Sequence, residues 1–346
     1  MRIAEVAPPW LAVPPRGYGG IEWVVAMTAD GLVERGHEVT LFATGDSSSK
    51  AHLEYLFEHA PGPAEINSQW LDTAQSLLAF REPERFDAYH IHSSWSALVA
   101  GAVCGLPTVH TVHGSFTPEM REVYSQTLDR ISYVAISEAQ RDQMPELNYA
   151  GVVYNGIDID RYPFREEKEE FLFFLGRAAP EKGVLRAVMT ARETGMHLVC
   201  ALKISEPRER VHWEQDVLPI LPGDATVLME IEHEEKADLL SRAKAVLFPI
   251  DWDEPFGLVM TEAMACGTPV IATPRGSVPE VIEDGVTGFI VPVEDYPSAA
   301  AERLKHLDEI DPAACRRHVA ERFSKEAMVQ GYERVFELAI GGASAS

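Results

Sequence analysis

Short apolar runs, most of them unbroken by a polar residue, recur along this chain and alternate with segments of helical periodicity. A strand that is apolar at every position needs cover on both faces, and a parallel sheet between two helix layers supplies it. Strands are predicted at Ile3–Ala7, Val39–Ala43, Ala88–His92, Thr108–Val112, Tyr133–Ile136 and Val152–Tyr154. A second series follows at Phe171–Leu175, His197–Ala201, Thr226–Met229, Ala245–Pro249, Pro269–Ala272 and Gly288–Val291. The alternation predicts an α/β class with two doubly wound parallel sheets.

The two series are separated by a turn signal, Asn155-Gly156-Ile157-Asp158, and a charge run, Arg165-Glu166-Glu167-Lys168-Glu169-Glu170, which reads as a linker. With 346 residues the chain is long enough for two domains, expected at 1–160 and 161–324, with a helix over 325–340 returning to the first. Acidic residues outnumber basic ones 54 to 30, a net charge of −24, and no Lys/Arg-rich run occurs. A nucleic-acid polymer as partner is therefore excluded, since it needs a basic face. No stretch approaches the roughly 20 apolar residues of a membrane span. The N-terminus, Met1–Val6 with an acid at Glu5 and then Pro8-Pro9, reads as a strand rather than a leader. Cys104, Cys200, Cys266 and Cys315 form no C-x-x-C pair, so reduced thiols in a cytoplasmic protein are expected.

Three stretches can carry chemistry. The first, Arg16-Gly17-Tyr18-Gly19-Gly20-Ile21-Glu22, precedes a helix, where glycines let the backbone approach a ligand and the helix start favours an anion. The second, Leu175-Gly176-Arg177 to Lys182-Gly183, ends a buried strand in a loop with two cations, suited to a diphosphate. The third begins Glu254-Pro255-Phe256-Gly257-Leu258-Val259-Met260-Thr261-Glu262, a loop and helix start with two glutamates. Carboxylates of this kind accept from sugar or ribose hydroxyls, while free amide groups at the helix start take an anion.

Glu254 and Glu262 within the stretch Glu254–Ala272, followed by Gly276-Ser277-Val278-Pro279-Glu280, resemble the retaining glycosyltransferases of family 4, which have the GT-B fold. The Gly19-Gly20 loop, His110-Thr111-Val112-His113-Gly114, Asn155–Asp158, Arg177 and Lys182 follow the same pattern in order. The resemblance implies two Rossmann-like domains facing a central cleft, with the donor clamped between them. It gives a catalytic set of His113, Arg177, Lys182 and Glu254, with Glu254 on donor-sugar hydroxyls and His113 beside the reacting carbon. Arg177 and Lys182 would hold the diphosphate, and Gly19 and Gly20 would approach it. The amides of Phe256, Gly257, Leu258 and Val259 would flank the donor, and Glu262 would accept from the ribose. The helix around Tyr332 would cross back onto the first domain. Two departures stand out: Cys200-Ala201-Leu202-Lys203 lacks a glycine usual after the second strand of the C-terminal domain, and the chain is short for the family.

The expected activity is transfer of a hexose from a nucleotide-diphosphate sugar to an acceptor hydroxyl with retention, by front-side displacement. UDP-glucose is placed ahead of GDP-mannose as donor, and a soluble acceptor ahead of a lipid one, because Ser115–Arg130 presents no cationic face. The alternatives are a GDP-mannose-dependent mannosyltransferase acting on a lipid or polysaccharide precursor, and a non-catalytic nucleotide-sugar-binding protein. No cofactor and no metal are expected; membrane association is expected to be absent or peripheral, and the chain to be a monomer or homodimer. Asp251-Trp252-Asp253 mimics a metal-binding D-x-D, and His90 and His92 with His110 form a conceivable zinc set; both are read as structural.

Overall fold

The computed structural model describes residues 1–343 apart from 16, 18, 67 and 93, so Arg16 and Tyr18 of the glycine loop lie outside the described residues. The chain forms two compact units, Met1–Gly156 with Lys325–Ser346, and Ile157–Ser324.

The first unit is built on β1 (Arg2–Val6), β2 (Glu38–Phe42), β3 (His52–Glu54), β4 (Ala88–His92), β5 (Thr108–Val112), β6 (Ser132–Ala135) and β7 (Tyr149–Val152). They lie parallel in the order β3-β2-β1-β4-β5-β6-β7. β4 and β5 are buried at every position, so their polar side chains must find partners inside. The helix Gly20–Glu34 packs Val24, Val25, Ala29 and Leu32 into a core shared with Val329, Tyr332 and Phe336 of the helix Lys325–Ala343. That contact demands a glycine at Gly31, where a Cβ would lie 2.5 Å from Val329 Cγ2.

The second unit holds β8 (Phe171–Arg177), β9 (His197–Lys203), β10 (Thr226–Met229), β11 (Ala245–Phe248), β12 (Val270–Ala272) and β13 (Gly288–Ile290), parallel in the order β10-β9-β8-β11-β12-β13. In each sheet the strand order reverses once, at β1/β4 and at β8/β11. Crevices form outside the carboxyl ends of strands at such reversals, because successive crossovers there run to opposite faces.

Three sequence expectations shift. β3 lies in a segment read as loop; it is three residues long, partly exposed and at the sheet edge. β7 lies N-terminal to the expected Val152–Tyr154, and its pairing with β6 carries a register shift at Tyr133/Val134. The charge run is not a free linker: the chain divides at Gly156/Ile157, and the run belongs to the second unit. Lys168 Nζ donates to Ser241 O, Cys266 O and Thr268 Oγ1 at 2.9, 3.0 and 2.8 Å. Burial pushes this ammonium down to about 8.

Candidate functional site

Of the residues singled out in the second unit, Arg177 and Lys182 follow β8 and Glu254 follows β11, the two strands at its reversal. β8 ends at Arg177, and the chain then turns through Pro180–Lys182 into the helix Val184–Thr194. Gly183 makes that turn at φ 80°, where any Cβ would stand 2.0 Å from Pro249 O. The loop after β11 brings Glu254 to the same place, and Lys182 Nζ donates to Glu254 Oε2 at 2.6 Å. The ammonium also sits 4.3 Å from the centre of the Trp252 ring. Gly276 backs the loop so closely that a Cβ would lie 2.3 Å from Glu254 O, and Ser277 N donates to that oxygen at 2.9 Å.

Gly257, at φ 79°, caps the helix Leu258–Ala265, which carries Glu262 on a buried face. The first amides of a helix lack intrahelical acceptors, so the residues after Phe256 present N–H groups at this end. Glu262 Oε1 accepts from Tyr162 OH at 2.8 Å and from Lys236 Nζ at 2.6 Å. Arg177 is held by three carboxylates, Glu209 Oε1 at 2.5 Å, Glu206 Oε1 at 3.1 Å and Glu181 Oε1 at 3.8 Å. Glu209 is fully buried and its other oxygen accepts from the amides of Ser205 and Glu206.

In the first unit Gly19, at φ 149°, precedes the helix Gly20–Glu34, and a Cβ on it would meet Glu22 Oε2 at 2.7 Å. Burial pushes the Glu22 carboxyl up to about 7. His113 follows β5, and its Nε2 lies 2.8 Å from His92 Nδ1. His92 Nε2 reaches Glu5 Oε1 at 2.6 Å, and His90 Nδ1 reaches Glu5 Oε2 at 3.1 Å. Glu5, His90 and His92 are all completely buried. Burial opposes ionisation of Glu5, but its interactions with His90 and His92 outweigh it and hold the carboxyl below its ordinary range. Burial, reinforced by His90 and opposed by Glu5, pushes His92 down to about 4. Burial and then the neighbouring imidazoles of His92, His90 and His110 hold His113 well below the usual imidazole range. His113 also lines a cavity of about 180 Å³ with Ile21, Trp95, His110, Met120 and Tyr124 among its walls.

The candidate metal sets are held as follows. His110 pairs in register with Ile91, so it faces away from His90 and His92 and meets Tyr124 OH at 3.2 Å instead. Glu5, His90 and His92 bring ligand atoms within 4.8 Å of one another, and in the structure the carboxylate and imidazoles are in direct hydrogen-bond contact. Asp251 pairs with Arg186 at 2.9 Å and Asp253 with Arg275 at 3.5 Å, so each carboxylate of the D-x-D has its own arginine.

The sequence reading missed Glu209, Tyr162, Lys236, Glu5 and the role of His92. Glu209 carried a signal, since Glu206 and Glu209 form a capping box across Pro207. The others meet their partners only through tertiary packing.

Residues 157–327 match the family model for glycosyl transferases group 1, and residues 18–161 match that for glycosyltransferase family 4. A phosphatidyl-myo-inositol mannosyltransferase of Mycolicibacterium smegmatis is 30% identical over 339 residues, covering 89% of this chain and 85% of that protein. A D-inositol 3-phosphate glycosyltransferase of the same species is 27% identical over 394 residues, covering 94% of this chain and 88% of its own. Among solved structures, AviGT4, a glycosyltransferase involved in avilamycin A biosynthesis, aligns with a TM-score of 0.72 at 28% identity over 99% of this chain and 98% of that one. Among the described residues no helix is long and apolar enough to cross a membrane. With both of its units matched in chain order, this protein belongs to the group 1 glycosyltransferases and has the α/β GT-B fold.

Proposed function

We propose that this glycosyltransferase moves a hexose from a nucleotide-diphosphate sugar, UDP-glucose before GDP-mannose, to a hydroxyl of a soluble acceptor with retention of configuration and without a metal. The observation that carries the reading is the Lys182–Glu254 pair at 2.6 Å, set at a strand-order reversal beside a helix start. An ammonium has three N–H donors, so Lys182 can keep Glu254 and still donate to phosphate. Glu254 then accepts from donor-sugar hydroxyls, with the amides of Phe256, Gly257, Leu258 and Val259 beside it, and Glu262 accepts from the ribose. Tyr162 and Lys236 already fill Oε1 of Glu262, which directs Oε2 to that task.

In the transfer, the bond from the anomeric carbon to the phosphate oxygen breaks as the acceptor oxygen bonds to the same face of that carbon. The acceptor's proton passes to the departing phosphate oxygen, and Arg177, Lys182 and the helix amides stabilise the charge developing there. A well-placed donor to a developing anion is worth about 10²–10³ in rate. Lys182→Ala is therefore expected to lower turnover at least about tenfold while leaving the melting temperature within a few degrees. Near-full activity in that variant rules the assignment out. A panel of nucleotide sugars, scored by thermal stabilisation and donor hydrolysis, identifies the base and hexose; NMR of the product's anomeric proton tests retention. The 30% identity to a mannosyltransferase keeps GDP-mannose in that panel as the second reading, with a lipid or polysaccharide precursor as its acceptor.

A further inference from the structure

We propose that Glu5 and His92 are positioning residues that fix the tautomer of His113, so that its Nδ1 is presented as a hydrogen-bond acceptor to a sugar hydroxyl. The inference rests on the reading above only in taking His113 to face the sugar; the tautomer itself follows from the contacts.

An ionised carboxylate can only accept. The nitrogen 2.6 Å from Glu5 Oε1 is His92 Nε2, so that atom carries the proton. A neutral His92 then has a bare Nδ1, which must accept, and the group facing it at 2.8 Å is His113 Nε2. His113 therefore carries its proton on Nε2, and its Nδ1 keeps a lone pair. The depressed pKa values of His92 and His113 agree with neutral rings.

The other half of the cluster closes by the same logic. His90 Nδ1 donates to Glu5 Oε2 at 3.1 Å, and His90 Nε2 accepts from Thr111 Oγ1 at 2.8 Å. Thr111 Oγ1 in turn accepts from Tyr332 OH at 3.1 Å. With Glu5 ionised and the rings neutral, these five contacts admit one set of hydrogens, each running toward Glu5. His90 Nδ1 and His92 Nε2, 3.2 Å apart, both point their protons at the carboxylate rather than at each other. A purely structural polar cluster would end inside the core. This one ends on His113, which is half-buried and lines the cavity beside Trp95 and Tyr124, where an incoming hydroxyl can reach it.

The test is made on the full chain labelled with ¹⁵N-histidine. Two-bond ¹H–¹⁵N correlations are expected to show His113 as the Nε2–H tautomer. Glu5→Gln replaces a group that only accepts with an amide that meets His90 and His92 with one oxygen and one NH₂ group. Where the NH₂ faces His92 Nε2, both rings reverse and His113 carries its proton on Nδ1, so in this variant the Nε2–H tautomer is no longer the only one populated. Its kcat is then expected to fall about tenfold or more with the donor KM little changed, because an acceptor has become a donor. His92→Asn offers its side-chain oxygen to His113 Nε2–H, preserves the tautomer, and should retain far more activity than Glu5→Gln. An Nδ1–H tautomer in the wild type overturns the proposal, as does equal loss in both variants. The wild-type spectrum decides even where a variant fails to fold. Failure of the donor reading would instead appear in Lys182→Ala with the His113 tautomer intact.

Discussion

At the scale of single residues, the proposed diphosphate site pairs its cations with carboxylates before any ligand arrives. Arg177 faces Glu209, Glu206 and Glu181, but these three differ in kind. Glu209 is fully buried and anchored by two backbone amides, so it fixes the direction of the guanidinium. Glu206 is about half exposed and shared with Arg208, so it mainly adds a negative charge near a site meant for an anion. The two substitutions should therefore act in opposite directions. Glu206→Gln is expected to lower the donor KM severalfold, an effect that fades as salt screens it over about 10 Å at 0.1 M. Glu209→Gln is expected to raise the donor KM and to reduce stability, since it breaks a buried charge pair. Initial-rate kinetics at low and high salt, with thermal melts, check both; equal shifts in the same direction would show that Arg177 does not meet the donor.

At the scale of elements, position depends on a few backbone approaches too tight for a side chain. Gly276 is one: it has φ 55°, and a Cβ there would press on both O and N of Glu254 at 2.3 and 2.4 Å. Gly276→Ala is expected to push the Glu254 loop away from Lys182. Displacing a reacting group by about 1 Å can cost 10²-fold in rate, whereas overpacking costs about 1–3 kcal/mol of stability. Turnover should consequently fall further than the melting temperature suggests, read from kcat beside a thermal melt.

The same scale shows what could be read from sequence. Continuous apolar runs such as Ala245–Phe248 and Val270–Ala272 announce strands covered on both faces, because a parallel sheet between helix layers buries every position of a short segment. β3 gives no such signal: His52, Leu53 and Glu54 are an exposed and two half-buried positions at a sheet edge. Lys168 misled because its charge argues for solvent, while its ammonium is satisfied by two carbonyls and a hydroxyl supplied by other elements. The candidate site divides in the same way. Arg177, Lys182, Glu254 and Glu262 lie in local patterns of loop and helix start, so they are visible in the sequence. Glu5 and His92 acquire meaning only when β1 and β4 pair side by side.

At the scale of the whole molecule, two opposing electrostatic effects govern the response to acid. A net charge of −24 repels itself, and protonating surface carboxylates relieves that repulsion, so mild acid should stabilise the fold if surface charge dominated. The buried imidazoles act the other way. His92 titrates near 6.5 when unfolded and at about 4 when folded, so between those values the unfolded chain binds the extra proton. Stability from this group is complete above about pH 6.5 and is lost as the pH falls toward 4. His110, pushed down to about 3 by burial, extends the same loss to lower pH. A displacement from 6.5 to about 4 corresponds to something on the order of 3 kcal/mol, a large share of the roughly 5–15 kcal/mol that holds a domain folded. Surface pairs contribute at most about 1 kcal/mol each. Glu22, held up to about 7 in the fold, gains a proton over the same interval and adds to the surface effect, but it is one group against His92, His110 and His113. The imidazoles should therefore win, and the melting temperature should drop from pH 7 to pH 5, before most carboxylates titrate. Melts at constant ionic strength measure this, and a melting temperature that rises over that interval would show that surface repulsion outweighs the buried histidines.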